Sequence, residues 1–227
     1  MEHWLLLESG PGEPAWNMAL DEALLLTAPQ RQKPLLRLYG WTLPAATFGY
    51  SQRYNEVAAQ THLRPLIRRP TGGGIVPHAQ DHTYSIIIPP NQPWHQLRAR
   101  ESYRHTHTWI AQALRLLGLN PNLAPEKHTP VPGVCFAGAE QDDVLCAGQK
   151  IAGAAQRRNR SGLLIQGSIQ STLTPRQTQQ LPLALQNAAQ QIWPCSWNPA
   201  PPEPTTNQLA QQLLQEKYAS PIHNQSR

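Results

Sequence analysis

Apolar and polar residues along this chain form two kinds of pattern. A period of two residues predicts strands, and a period near 3.6 residues predicts helices. Short, mostly apolar runs bounded by turn residues predict strands at residues 4–8, 35–39, 45–48, 66–69, 83–88, 143–146, 150–156 and 162–169. Helical patterns predict helices from an N-cap at Asn17 to Pro29, and at residues 100–117, 176–191 and 207–218.

The order of these elements is mixed, because several strands follow one another in hairpins and helices lie between them. One hairpin is predicted around Ala147-Gly148, and the next turn at residues 157–161. This order favours an α+β fold with a largely antiparallel sheet and flanking helices. Residues 1–219 are expected to form one domain, and the polar residues 220–227 a disordered tail.

Composition and charge exclude several classes of protein. The 227 residues are 40% hydrophobic and include seven Trp, so a core can form, and no apolar run approaches the ~20 residues of a membrane span. No secretory signal is recognised at the N-terminus, so a cytoplasmic protein, without a membrane partner, is expected. A net charge of +5 is compatible with an anionic cofactor, an acidic protein or nucleic acid, but no nucleic-acid-binding pattern is present.

The three cysteines, Cys135, Cys146 and Cys195, are too widely spaced to predict a disulfide framework or a metal site. Cys146 and Cys195 lie in apolar surroundings and are interpreted as structural. Cys135 follows a proline-rich segment. A lone cysteine is most often an inert apolar residue, but near a cation its thiol becomes nucleophilic at neutral pH.

The densest chemical signal is the run from Arg68 to His78, which places three glycines between two predicted strands. Successive glycines allow positive φ and expose backbone N–H groups to a carboxylate, a thioester carbonyl or a phosphate. For a bare triple glycine, however, a plain hairpin turn with a bulge is the commoner explanation. Neither common nucleotide-binding glycine pattern is present.

A second signal is Lys150, one of only four lysines in the chain, within a strand of small and apolar residues. Such a lysine can point into a cleft and stabilise an oxyanion. It can also be a solvated residue at the edge of a sheet.

Taken together, these segments resemble a known superfamily. The motifs Arg-Arg-x-x-Gly-Gly-Gly-x-Val-x-His, Thr-Tyr-Ser and Gly-x-Lys-Ile-Ala-Gly-x-Ala-Gln-Arg-Arg occur in the order typical of lipoate-protein ligases, octanoyltransferases and biotin-protein ligases. The run Asn17 to Glu22 also resembles the first helix of that superfamily. The resemblance extends over at least residues 4–169.

The resemblance implies a catalytic domain that binds an acyl group and transfers it to a lysine of a lipoyl domain or of a glycine-cleavage H-type protein. Cys135-Phe136, 15 residues before Lys150, is similar to the Cys-Phe of the cysteine-dependent octanoyltransferases. Cys135 and Lys150 are then the catalytic residues, acyl carrier protein is the donor, and a monomer without cofactor or metal is expected. The implied substrate-binding residues are Arg69, Thr71, Gly72, Gly73, Gly74, His78, Ala152 and Gly153.

Two alternatives stay open at this point. Gly72-Gly73-Gly74 is more similar to the ATP-dependent lipoate-protein ligases, which use ATP and Mg²⁺ and in some cases carry their accessory part on a separate chain. The ligases' usual Gly-Arg-Asn-Asp stretch, however, is replaced here by residues 137–143. A binding module of the same fold without enzymatic activity is the second alternative.

Overall fold

The structure is a computed structural model that describes residues 1–125, 138–170, 173–201 and 203–226. The strands are β1 (Glu2–Gly12), β2 (Leu35–Trp41), β3 (Ala45–Phe48), β4 (Leu66–Arg68), β5 (Val76–His78), β6 (His82–Ile88), β7 (Pro121–Leu123), β8 (Val144–Cys146), β9 (Gln149–Asn159), β10 (Gly162–Ile169) and β11 (Cys195–Pro199). The helices are α1 (Pro14–Leu26), α2 (Ala28–Arg31), α3 (Tyr54–Gln60), α4 (Pro93–Gln96), α5 (Ala99–Leu116), α6 (Pro175–Ile192), α7 (Pro204–Leu213) and α8 (Pro221–Asn224). A π-helical turn, Leu214–Tyr218, continues α7.

Eight strands form one mixed sheet in the order β11-β1-β2-β6-β10-β9-β8-β7. β1 runs parallel to both β11 and β2, and every other neighbouring pair in this sheet is antiparallel. A smaller sheet has the order β4-β3-β5. The predicted α+β fold with a largely antiparallel sheet and flanking helices is therefore confirmed.

Two helical layers cover the large sheet. On one face, α5 and α6 bury Trp109, Leu114 and Leu185 against β6 and β10. Trp4 of β1 lies in the same core, with its ring centroid 5.4–5.9 Å from those of four other tryptophans, Trp94, Trp109, Trp193 and Trp197. On the other face, α1 and α7 pack against β2, β6 and β10.

Two predictions from the sequence are wrong in this part of the fold. Asn17 does not cap α1, which begins three residues earlier at Pro14. Asn17 lies inside the helix, where its buried amide donates to the carbonyls of Gly12 and Gly40. The expected disordered tail contains α8, and the buried side chain of Asn224 accepts a hydrogen bond from the Arg68 N–H at 2.9 Å.

A buried ion pair joins α1 to the sheet. Arg37 of β2 donates to Asp21 of α1 across 2.7 Å, and the two side chains are 1% and 0% exposed. The second oxygen of Asp21 accepts hydrogen bonds from Tyr39, Ser85 and Gln166 at 2.5–2.9 Å. One carboxylate thus connects four elements, α1, β2, β6 and β10. Burial, together with the charge of Asp21, raises the pKa of Tyr39 well above its usual value, so Tyr39 stays a donor.

We expect Arg37→Met to be severely destabilising. The substitution leaves the Asp21 carboxylate buried without its cation, which costs about 3–5 kcal/mol of unfolding free energy. Urea unfolding followed by tryptophan fluorescence measures this loss. Lys217→Met is the control, because Lys217 pairs with Glu22 but keeps 26% of its side chain exposed, so it should lose only about 1 kcal/mol. Equal losses in the two variants would contradict this account.

Candidate functional site

A largely apolar pocket lies between the α1 face of the large sheet and the small sheet. Its apolar wall includes Met18 of α1 and Trp41 of β2, with Val76 of β5 and Ala154 and Ala155 of β9. The polar side chains at its wall include those of Thr47, Arg69, His78, Thr83, Lys150, Gln166 and Ser168. Such a mixture suits an aliphatic ligand with one polar end.

The glycine run forms a tight loop beside this pocket. Gly73 has φ +85°, a conformation that favours glycine. The loop is packed against Gly49, where a Cβ atom would lie 1.9 Å from the carbonyl oxygen of Gly73. Arg69 and Val76, at the two ends of the loop, line the pocket. The three glycines themselves are not among the lining residues in the described part of the chain.

Arg69 shapes the loop. Its guanidinium donates to the carbonyl of Gly72 at 2.5 and 3.1 Å and to that of Gly74 at 2.8 Å. It also donates to the Thr47 hydroxyl at 3.4 Å. Arg69 is buried, so these bonds fix the loop rather than leaving a mobile cation above it.

Thr71 connects the glycine loop to the buried ion pair. Its hydroxyl donates to Gln166 Oε1 at 2.8 Å, and the Gln166 amide donates to Asp21 Oδ2 at 2.7 Å. Thr71 is fully buried and is not among the described lining residues of the pocket. Thr71 therefore holds the loop from the side that faces away from the pocket, whereas Gln166 lines the pocket.

His78 is a buried neutral base at the pocket wall. Its Nδ1 lies 2.8 Å from Asp81 Oδ2, its Nε2 lies 2.8 Å from the Thr47 hydroxyl, and its ring stacks on Trp41 at 3.9 Å. Burial lowers the pKa of His78 below its usual value. Burial alone would raise the pKa of Asp81, but its hydrogen bonds, that from His78 first, hold that pKa below its usual value. His78 is therefore a neutral donor to an ionised Asp81.

Lys150 is aimed by an irregularity in β9. Val144 pairs with Ala152 and Leu145 with Lys150, so Ile151 is an extra residue and β9 is bulged. Bulges redirect side chains, and this one lets Lys150 line the pocket. Its ammonium nitrogen lies 2.7 Å from Asp143 Oδ2, and the two side chains are 8% and 0% exposed. Lys150 is therefore not a solvated edge residue.

The neighbours of Lys150 in its motif have different places. Gly153 lines the pocket, and a Cβ atom there would lie 2.7 Å from Lys150 Cε. A glycine at this position therefore avoids a clash with the Lys150 side chain. Ala152 faces the opposite side of the sheet and is buried in the core beside α5. The structure brings Lys150, Gly153, His78 and Arg69 to one pocket and places Ala152 behind it.

The structure gives positions for two of the three cysteines, since Cys135 lies outside the described residues. Cys146 is half-buried at the end of β8. Cys195 is buried in β11, at the far edge of the large sheet, and burial raises the pKa of its thiol. Neither of these two lines the pocket.

The sequence analysis missed several residues of the site. Gln166 and Ser168 lie two positions apart in an otherwise apolar strand, and this spacing could have placed both on one face. Asp81 accepts from both His78 and Ser168, and Asp143 anchors Lys150, but neither role has a local signal. Gly49 likewise depends on contact with a loop distant in sequence.

The part of the chain that the structure describes has neither a cluster of metal-ligating side chains nor a helix that could cross a membrane. No group of three or more His, Cys, Asp or Glu side chains there could hold a metal ion. Among the same residues, no helix is both long and apolar enough to cross a membrane.

Known proteins are similar to this chain in sequence. The octanoyltransferase LipM of Kyrpidia tusciae is 35% identical over 187 residues, which cover 77% of this chain and 68% of the relative. The octanoyltransferase LipM of Halalkalibacterium halodurans is 36% identical over 182 residues, 74% of this chain and 66% of the relative. The chain thus spans about two thirds of the length of these curated relatives.

A solved structure shows the same fold. It is that of a bi-partite lipoate protein ligase and its E2 lipoyl domain from Thermoplasma acidophilum, with a TM-score of 0.75 and 21% identity over 99% of this chain and 96% of that chain. The sequence model of the lipoyl protein ligase A/B catalytic domain matches residues 13–216. The resemblance inferred from the motifs is confirmed, and the chain belongs to the lipoyl protein ligase A/B catalytic domain family.

Proposed function

We propose that this protein is an octanoyltransferase of protein lipoylation. The observation that carries the proposal is the ammonium group of Lys150, held by Asp143 at the wall of an apolar pocket. An apolar wall suits an aliphatic acyl chain, and a fixed cation beside it suits the oxyanion that forms at the acyl carbon. The relatives of similar sequence named as octanoyltransferases support the same activity.

The donor in this proposal is octanoyl acyl carrier protein, and the nucleophile is Cys135. The Cys135 thiolate attacks the thioester carbonyl, the bond to the phosphopantetheine sulfur breaks, and that sulfur leaves as a thiol after gaining a proton. An octanoyl thioester on Cys135 remains. The neutral amine of a target lysine then attacks it, loses a proton as the amide forms, and releases Cys135.

No ATP is required by this sequence of steps. The first exchange converts one thioester into another, and the second converts a thioester into a more stable amide. Lys150 stabilises the oxyanion in both tetrahedral intermediates. Lys150 is suited to this role because its anchor on Asp143 fixes it before the reaction, so little reorganisation is needed.

The proposed acceptors are lipoyl domains and glycine-cleavage H-type proteins. Acyl carrier and lipoyl domains are typically acidic, and the net charge of +5 favours their approach to this chain. We propose a monomer that binds these two proteins in turn.

A second candidate function is an ATP-dependent lipoate-protein ligase that works with a separate accessory chain. The observation in its favour is the unbroken Gly72-Gly73-Gly74 run. In that case Lys150 would contact both the lipoate carboxylate and the α-phosphate of ATP, and Mg²⁺ would accompany the nucleotide. The described carboxylates near Lys150 do not favour Mg²⁺, because Asp143 is bound to Lys150 and Asp142 lies near Arg100.

We expect the purified protein, incubated with octanoyl acyl carrier protein and no ATP, to gain one octanoyl group. Intact mass spectrometry detects the adduct, and peptide mapping should place it on Cys135. Cys135→Ser should abolish it, and Cys146→Ser, the matched control, should retain it. Product formed only with ATP and lipoate would favour the ligase instead.

We expect Lys150→Ala to lower the rate of octanoyl transfer by about 10²- to 10³-fold, since one preorganised charge at the oxyanion is lost. The substitution also leaves Asp143 buried beside an empty volume, so stability must be followed by thermal melting. Lys150→Ala/Asp143→Asn removes that unpaired charge and should recover part of the lost stability without recovering the rate. A folded variant that transfers at the parent rate would show that Lys150 has no catalytic role.

The glycine loop can be tested at two neighbouring positions. Gly73→Ala forces a side chain into a left-handed conformation and should cost about 1–2 kcal/mol of unfolding free energy. At Gly72, φ lies outside that region and a Cβ atom would meet nothing within 4 Å, so Gly72→Ala should keep its stability. If the acyl group lies against the loop, Gly72→Ala should slow transfer about tenfold. A stable Gly72→Ala with normal transfer would show that the run is only a turn.

A further inference from the structure

A second layer of polar residues lies behind Lys150 and extends beyond its anchor, Asp143. Asp143 is completely buried, and both of its oxygens are engaged. Oδ2 accepts from Lys150 at 2.7 Å and from the backbone N–H of Glu140 at 2.7 Å. Oδ1 accepts from the Tyr103 hydroxyl at 2.5 Å. The carboxylate is therefore fixed from three directions.

Tyr103 links this carboxylate to the pocket wall. It is carried by α5, and its hydroxyl lies 3.5 Å from the backbone N–H of Ala154, a pocket residue of β9. Burial, together with the charge of Asp143, raises the pKa of Tyr103 well above its usual value. The phenol therefore remains a neutral donor at any pH used in an assay.

Other titratable groups face the same cluster, and two of them are neutral. His107 of α5 is buried with its ring edge-on to Tyr103, 4.2 Å between centroids, and burial and the charge of Lys150 lower its pKa to about 3. Tyr84 of β6 lies beside Gly167, and burial raises its pKa. Asp142, next to Asp143, lies near the exposed Arg100. The charge of Lys150 is thus matched within this group by Asp143.

We infer that Tyr103 and Asp143 are positioning residues, which hold the ammonium group of Lys150 in place as the oxyanion-stabilising group. Lysine has a long flexible stem, and the bulge in β9 aims it but does not fix its end. Tyr103, which is carried by α5, donates to Asp143, and Asp143 binds Lys150. These two contacts hold the ammonium group of Lys150 in place. This inference rests on the proposed function for its catalytic consequence, but its structural part can be tested without any acyl transfer.

The first experiment compares two tyrosine variants. Tyr103→Phe removes one hydroxyl bound to a buried carboxylate, and Tyr218→Phe removes the same kind of bond, from Tyr218 to Glu22 at 2.7 Å, away from the pocket. We expect similar losses of melting temperature in the two variants. Only Tyr103→Phe should lower kcat, by about 10- to 100-fold, with the KM for octanoyl acyl carrier protein unchanged. Equal kcat values in both variants would overturn the inference.

The second experiment uses Asp143→Asn and does not depend on activity. Lys150 is labelled with acetic anhydride over a range of pH, and mass spectrometry gives the pH at which half of its maximal reactivity is reached. Without the buried carboxylate, we expect this midpoint to fall by at least about one pH unit. Lys33, an exposed lysine in the same samples, is the internal control and should not change.

The outcomes separate the inference from the proposed function. A lowered Lys150 midpoint in a protein that forms no octanoyl adduct supports the anchoring and overturns the octanoyltransferase. An unchanged midpoint in a protein that does form the adduct overturns the inference and leaves the transferase in place.

Discussion

The Asp21–Arg37 ion pair is the interaction on which the arrangement of this site depends. Both side chains are buried, so each charge requires the other, and together they fix α1 against β2. The same carboxylate binds Gln166, and Gln166 binds Thr71 at the start of the glycine loop. One charged pair in the core therefore determines the position of a loop on the pocket wall.

The site is built from two kinds of support. On the loop side, Arg69 donates to the carbonyls of Gly72 and Gly74, and Gly49 allows the loop to approach closely. On the lysine side, a bulge in β9 and a buried carboxylate fix Lys150. Both supports bring a buried cation, Arg69 or Lys150, to the wall of an otherwise apolar pocket. Each cation is held in place before any ligand binds by hydrogen bonds to groups packed around it.

The C-terminal segment adds a support that its polar sequence did not suggest. Lys217 and Tyr218 bind Glu22 of α1, and Asn224 binds the backbone of Arg68. The guanidinium of Arg68 in turn donates to the carbonyls of Tyr50 and Gln52. The end of the described chain is therefore joined both to the first helix and to the strand that leads into the glycine loop.

The sequence by itself determined the class of the fold, the long elements and the family. The short apolar runs of β6 and β10 and the helical period of α5 are local patterns, and the glycine and lysine motifs are contiguous, so each can be recognised without knowing its partners in the fold. The tertiary structure alone decided which motif residues face the pocket. It placed Gly153 there and Ala152 in the core, because adjacent residues of a strand face opposite sides of the sheet and pairing with β10 fixes which side each one faces. It also supplied the partners Asp143, Tyr103, Asp81 and Gly49, whose roles arise from contacts between segments far apart in the chain. The three-residue strands β5 and β7 were likewise not predicted, since each contains a proline, which is unfavourable in a strand, and each forms only by pairing with its neighbour in the sheet.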